Sequence, residues 1–308
     1  MVRLSLVLII AVCVTSTAAQ LKSDRDKANL RGPVQTIRTN IWHYGGPDSR
    51  QKPDSGDMVT FDKVGNEIER IMVSDFGEAI GKQTQVFDAN GILLESKWVN
   101  PRGSLQERQT FRHSDGKLVE TRSYDGKGVL REKSTRSYDT KGNMSEEVYY
   151  DPIKAVAKTI FTYNSAGDAT QMAFFLSDGK KATAPIGPCL GAHRVVFSYD
   201  SSHRPITKAA YETDGLEKKN WVFAYDDHGN YTNYTIKSSF ATTKISYSYV
   251  FDSRSNWVKS TSISQTDDEA FDVLSEVTEK RPASEKKKEE EEMTKTTRVM
   301  TREITYFP

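Results

Sequence analysis

"SYDTKGN" at residues 137–143 returns as "AYDDHGN" at 224–230, and near-copies stand at 60–66 (TFDKVGN), 86–92 (VFDANGI) and 123–129 (SYDGKGV). Taking the aromatic of each phrase as a marker gives Phe61, Phe87, Phe111, Tyr124, Tyr138, Tyr163, Tyr199, Tyr225 and Phe251. Several markers are 26 residues apart (Phe61 to Phe87, Tyr199 to Tyr225, Tyr225 to Phe251), which is the period of a repeat architecture. Aspartate follows the marker at 62, 88, 125, 139, 200, 226 and 252, with Asn164 as a substitute. Its carboxylate can accept from backbone N–H groups two residues on and so shape a type I turn. Glycine at 65, 91, 128, 142, 167 and 229 accepts positive φ and lets the chain reverse through a bulge. His203 and Ser255 stand in that slot instead, which predicts looser turns there.

The segments leading into the markers alternate. Val195, Phe197 and Tyr199 share one face; so do Trp221, Phe223 and Tyr225; so do Ile245, Tyr247, Tyr249 and Phe251; Ile304 and Tyr306 close the chain in the same way. Polar residues fill most alternate positions, the pattern of a half-buried antiparallel strand. Turn signals at 100–103, 177–180 and 213–215 mark the opposite ends. Each unit therefore holds two strands and two turns. The longer gap from Tyr163 to Tyr199 matches a Pro/Gly-rich loop at 181–191, and "GGPDSRQKPDSGD" at 45–57 reads as another loop.

Residues 1–19 have a positive start, an apolar run and small residues, the layout of an export signal cut after Ala19; an N-terminal membrane anchor is the alternative. Residues 20–29 are a linker, 30–264 the repeat domain, 265–296 a charged insertion, helical or disordered, containing "EKKKEEEE", and 297–308 the closing strand. Cleavage removes Cys13 and leaves Cys189, so no internal disulfide is expected. Hydrophobic residues make up only 36% of the 308, which predicts a thin core with much surface. A net charge of +1 lacks the basic excess that nucleic acid would favour.

The "YDxxGN" phrases, their spacing, "GPVQTIRT" at 32–39, "NWVKS" at 256–260 and the closing "REITYF" resemble secreted bacterial RHS/YD-repeat proteins. The resemblance implies an all-β fold: a long antiparallel meander of hairpin repeats, as a curled sheet or a partly closed barrel or shell. In large members such a shell can surround a toxin segment; this chain ends on a repeat strand.

No catalytic motif stands out: there is no GxSxG, HExxH, phosphate-binding loop or CxxC. His43, His113, His193, His203 and His228 show no ligand spacing, and three of them, His113, His203 and His228, fall in turns, where exposure to solvent explains a polar residue. The row of aspartates invites calcium, yet successive turns on one rim are about 9–10 Å apart. Calcium needs oxygens at about 2.3–2.6 Å, so turn capping wins. Trp42, Trp98, Trp221 and Trp257 could stack on sugars or simply fill the sheet face. The strand "VLREKSTRSY" at 129–138 carries charge on both faces, which lipid would not tolerate. The expectation is an exported, non-catalytic repeat scaffold with no catalytic, cofactor or metal residues. It would present a sheet surface to an envelope or extracellular protein or glycan, without nucleic acid and without a membrane span once the signal is cut. A glycan hydrolase with carboxylates on the concave sheet face, or a relative of a toxin-encapsulating shell, is the alternative.

Overall fold

The computed structural model describes residues 23–44, 53–74, 78–184, 191–268 and 295–308. The export signal, Cys13, Cys189 and most of the 45–57 and 265–296 stretches lie outside the described residues.

The fold is all-β. After one helical turn, α1 (Asp24–Lys27), come β1 (Val34–Tyr44), β2 (Ser55–Phe61), β3 (Glu67–Val73), β4 (Ala79–Phe87), β5 (Leu93–Val99) and β6 (Leu105–Ser114). Then follow β7 (Lys117–Asp125), β8 (Leu130–Tyr138), β9 (Met144–Asp151), β10 (Lys154–Tyr163), β11 (Ala169–Leu176) and β12 (Arg194–Tyr199). The last are β13 (Pro205–Tyr211), β14 (Glu217–Tyr225), β15 (Tyr231–Ser238), β16 (Ala241–Phe251), β17 (Trp257–Asp268) and β18 (Lys295–Tyr306). They belong to one antiparallel sheet of 18 strands.

By contacts the chain divides into two compact units. In the first, Arg112–Arg122 with Leu130–Val222, the ladder runs β8, β9, β10, β11, β12, β13 and into β14. In the second, which holds Ser123–Val129, Phe223–Pro308 and the stretch ending at Phe111, it runs from β15 to β18, then to β1, and on through β2 to β6. The first strand is thus sandwiched between the second and the last, so neither edge of β1 is left open to pair with another chain.

The recurrent phrase is a hairpin turn of constant construction. At Asp88, Asp139, Asp200, Asp226 and Asp252 one carboxylate oxygen accepts two backbone N–H groups, two and four residues on, at 2.8–2.9 Å. The second of these bonds goes beyond the turn that the sequence predicts. The aspartate N–H donates to the carbonyl four residues on, and the residue in the glycine slot donates back to the aspartate carbonyl. Gly91, Gly142 and Gly229 take φ of 76°, 90° and 84°. His203 and Ser255 take 61° and 63° and make the same two backbone bonds at 2.8–3.1 Å. Their turns are therefore no looser than the others, contrary to the sequence expectation; the residue absorbs the cost as backbone strain. The marker itself sits at a bulge, opposite the residue six positions on: Phe61 faces Glu67, Phe87 Leu93, Tyr138 Met144, Tyr163 Ala169, Tyr199 Pro205 and Phe251 Trp257.

Two stretches read from sequence as loop or linker are structured. Ser55–Asp57 open β2 and pair with β1. In the 20–29 segment, Ser23 and Asp26 form a capping box on α1. Arg25 anchors this turn on the first marker hairpin, its N–H reaching the Gly65 carbonyl and its Nη2 the Lys63 carbonyl at 3.0 Å. Strands β17 and β18 also reach into the charged insertion, by residues 265–268 and 295–296.

The core is thin, as the composition predicts. In the second unit Leu30, Val34, Ile37, Val59 and Phe61 are buried together with Ile304 and Tyr306 against them. Each fully buried side chain of this kind contributes about 1.5–3 kcal/mol. In the first unit Ala192, Val195, Ala210 and Trp221 are the most deeply buried apolar residues.

Candidate binding face

The marker aromatics and the residues in register with them define one face of the sheet. In the second unit this face carries a continuous run of rings over the end of β14, β15, β16 and the start of β17. Tyr231 is its hub, with ring centres 5.7 Å from Phe223, 5.0 Å from Tyr225, 6.3 Å from Tyr234 and 6.4 Å from Tyr247. The run continues from Tyr247 to Tyr249 at 6.4 Å, then to Phe251 at 6.0 Å and Trp257 at 6.2 Å. These separations suit offset or edge contact between rings. Strict alternation in β16 produces it: Ile245, Tyr247, Tyr249 and Phe251 are half-buried while Lys244, Ser246, Ser248 and Val250 are exposed. Tyr231 itself is 40% exposed, so the band meets solvent.

Arg302 ends the band. Its guanidinium carbon stands 3.4 Å over the centre of the Trp257 ring. Its Nε is buried without a hydrogen-bond partner, and no ion pair forms at this side chain among the described residues. Burial pulls its pKa down to about 10, although the charge of Asp57 pulls the other way. In register, Arg302 faces Thr39, which in turn faces Asp57. Asp57 is already engaged with Arg70, which also holds Glu67 at 2.7 Å. On the same face of β18, Met300 and Arg298 follow at alternate positions, opposite Ser260 and Ser262 of β17.

Carboxylates on this face are held by donors. Glu147, 7% exposed, pairs with Arg136 at 2.6 Å and accepts the Tyr149 hydroxyl at 2.8 Å. Glu107 accepts from Ser123 at 2.7 Å and from Gln109 at 2.8 Å. Trp221 lies fully buried between Lys208, 4.6 Å above its ring, and Lys219 at 5.5 Å. The opposite face carries half-buried ion pairs, among them Lys82 with Glu69 and Lys158 with Glu146 at 3.0–3.1 Å.

The turn aspartates behave as backbone caps. The Arg204 N–H is the leading cause holding Asp200 below the usual carboxylate range. At Asp226 and Asp252 burial pushes the other way and is outweighed, at Asp226 by the turn's hydrogen bonds from Asn230 and at Asp252 first by the Tyr306 hydroxyl and then by the turn's backbone N–H groups. Among the described residues, no three His, Cys, Asp or Glu side chains gather where they could hold a metal ion. Of the turn histidines, His203 and His228 are exposed yet engaged: His203 with Asp168, and His228 stacked on Phe251 at 4.6 Å. A hollow of about 450 Å³ lies between the turns of Asp62 and Asp88. Its walls include Val64, Ile68, Val86 and Phe87 together with the two turn aspartates, Asp62 and Asp88.

Of the four tryptophans, Trp257 belongs to the aromatic band and Trp221 is enclosed; Trp98 packs over Gly81, and Trp42 lies half-buried in β1. The sequence reading did not single out Arg302, whose place over Trp257 depends on β17 and β18 pairing across the charged insertion. It also missed a role for the marker hydroxyl. Tyr138, Tyr163 and Tyr199 each donate to a carbonyl about one repeat back, of Leu118, Met144 and Ala169, at 2.7–2.8 Å. The choice of Tyr over Phe at a marker was the available signal.

No protein-family model matches the chain, and no curated protein matches its sequence. Among solved structures, a porin-like protein from Bacteroides uniformis is 13% identical over 89% of this chain and 98% of its own, with a TM-score of 0.41. A chain of the Photorhabdus luminescens Tc holotoxin pore is 11% identical over 70% of this chain and 15% of its own, with a TM-score of 0.29. A LolA superfamily protein from Nitrosomonas europaea is 8% identical over 92% and 91%, with a TM-score of 0.21. No helix among the described residues is long and apolar enough to cross a membrane.

Proposed function

We propose that this is an exported, non-catalytic repeat scaffold that presents a sheet face for binding in the cell envelope or outside the cell. The observation that carries the proposal is the unbroken run of rings from Phe223 to Trp257 on one face, with Tyr231 at its hub. Large rings offer broad contact area at low entropy cost, and hydroxyls at their tips can meet polar ligands.

What supports a non-catalytic role is where the acids go. The turn aspartates are spent on backbone N–H groups. The face carboxylates are tied to Arg70, Arg136 or to hydroxyl and amide donors rather than standing as a free pair across a cleft. The ion pairs on the opposite face favour water over lipid there, since each charge near mid-bilayer costs roughly 2–4 kcal/mol. Export rests on the apolar N-terminal run.

The test is retention of the chain from residue 20 on immobilised envelope polysaccharides and envelope protein, compared with Tyr231→Ala and Tyr247→Ala. Equal retention of wild type and both variants would remove the aromatic band from the account.

A further inference from the structure

We propose that Arg302, laid on Trp257 at the end of the aromatic band, is the anchor for the carboxylate of an acidic sugar, so that the ligand of this face is a uronate-bearing glycan. The inference rests on the binding-face reading and names its ligand class.

A guanidinium carries five N–H donors and a charge that proteins cannot neutralise at physiological pH. Removing such a group from water without a paired acid is costly, and natural structures pair it. Arg302 is half-buried, its Nε is shut off from solvent with no acceptor, and no carboxylate pairs with it among the described residues. The nearest candidate acid, Asp57, is already taken by Arg70. Trp257 supplies only its ring face, which attracts the cation but accepts none of its N–H groups in plane. The Nε donor is closed in, but the two Nη groups make no hydrogen bond or ion pair among the described residues and are not sealed from solvent, so they remain for an acceptor from outside the chain.

The surroundings define the acceptor. The fork of a guanidinium matches the two oxygens of a carboxylate. Beside Arg302 in the sheet stand small residues, Thr39 of β1 and, one strand pair along, Ser260 and Ser262 of β17, which keep the floor low. Beyond the serines rise Tyr247 and Tyr249, in register with Ser262 and Ser260. Ser260 is fully buried, so the hydroxyls open on this floor are those of the half-buried Thr39 and Ser262; with the tyrosines as a wall and a cation at one end, they suit a ring that has apolar C–H faces, hydroxyls and one carboxylate. Arg298, exposed on the same face four residues before Arg302, adds a second positive charge about 13 Å along the strand.

The test is titration of the exported chain with trigalacturonate, with maltotriose as the neutral sugar and inorganic phosphate as the bare anion. Tryptophan fluorescence and calorimetry are the readouts. Trigalacturonate should bind and the other two should not. Arg302→Gln should weaken binding about tenfold or more, and Arg302→Lys should fall between, because it keeps the charge and loses the fork. Far-ultraviolet circular dichroism verifies that both variants fold, and Arg298→Gln, which leaves the Trp257 stack intact, should weaken binding less. Equal binding of trigalacturonate and maltotriose, unchanged in Arg302→Gln, would overturn the anchor and leave the binding face standing. Phosphate binding as tightly as trigalacturonate would overturn the sugar assignment. No binding of any probe, with Tyr247→Ala also silent on polysaccharide, would overturn both.

Discussion

The Nδ1 of His203 lies 3.0 Å from both carboxylate oxygens of Asp168, tying one marker turn to the turn of the preceding repeat. The preceding turn is the one in which the usual order is reversed. Elsewhere Asp leads and Asn follows four residues later, as in Asp139 with Asn143 and Asp226 with Asn230, the amide donating to the carboxylate. Here Asn164 leads and Asp168 follows, and the amide still donates to the carboxylate at 2.9 Å. The exchange moves the acid to the side where His203 can meet it. Burial pushes the Asp168 carboxyl up, but the bonds from Asn164 and His203 and the His203 charge hold it below the ordinary value.

His203 pays for this contact with a φ of 61° in a slot that glycine fills in most repeats. Two effects of opposite sign meet at one residue: left-handed strain of about 1 kcal/mol and an ion pair, exposed on the histidine side only, worth about 0–1 kcal/mol. His203→Ala keeps the strain and loses the pair, so it should destabilise by up to about 1 kcal/mol. His203→Gly loses both and should lie within about 0.5 kcal/mol of wild type. Urea denaturation midpoints of the three proteins decide it; an alanine variant more stable than the glycine variant would contradict the balance.

The tyrosine hydroxyls at the markers bond to carbonyls of the preceding repeat, and Tyr163 shows the bond cleanly, 2.8 Å to the Met144 carbonyl. Tyr163→Phe removes the donor with little change of shape and should cost about 1 kcal/mol. Tyr150, whose hydroxyl lies 3.5 Å from Thr135 at the limit of bonding, is the control. Tyr150→Phe should cost less than about 0.5 kcal/mol in the same urea titration.

Alkaline titration separates the tyrosines. Burial is the leading cause that raises Tyr163 and Tyr249 to about 12, with nearby acidic and phenolic groups adding to it. An unfolded tyrosine ionises near pH 10. Because the folded values are raised, these two groups contribute stability that is complete below about pH 10 and is lost as pH climbs through about 12. Absorbance at a phenolate wavelength should therefore rise in two stages in the folded protein and in one stage in urea. A single stage near pH 10 in the absence of denaturant would refute the burial of these hydroxyls.

How much of this was legible in the sequence follows from how local each feature is. The Asp and Gly of a marker turn act within five residues, so the turn, its period and the alternating strands could be read directly. The alternation Tyr247, Tyr249, Phe251 is local too, and it placed the rings on one face. The pairing of β17 with β18 spans the charged insertion, so nothing near Arg302 in the chain announced Trp257 beneath it. Ser55–Asp57 looked like loop because Gly, Ser and Asp disfavour strands; β1 holds them in the ladder regardless. His203 and Ser255 looked like weak turns because strain was expected to loosen the hydrogen bonds, whereas the two bonds and the flanking ladders fix the geometry and the residue bears the cost.

Gly56 tests whether β2 begins where the ladder places it. It pairs with Asn40, and a Cβ built there would overlap the carbonyl oxygen of Thr39. That obstacle is backbone, so no side chain can swing aside; relief requires β1 and β2 to separate or slip. A one-residue slip would turn Val59 and Phe61 out of the core that Ile37 and Val34 share with them. Gly56→Ala should therefore cost about 2 kcal/mol or more, above the ordinary loss for overpacking by one methyl. Gly103 offers the comparison: its φ is 79° and a Cβ there would meet nothing within 4 Å, so Gly103→Ala carries backbone strain alone. That strain is about 1 kcal/mol. If Gly56→Ala proves as mild as Gly103→Ala in thermal and urea unfolding, residues 55–57 belong to a loop and β2 starts later.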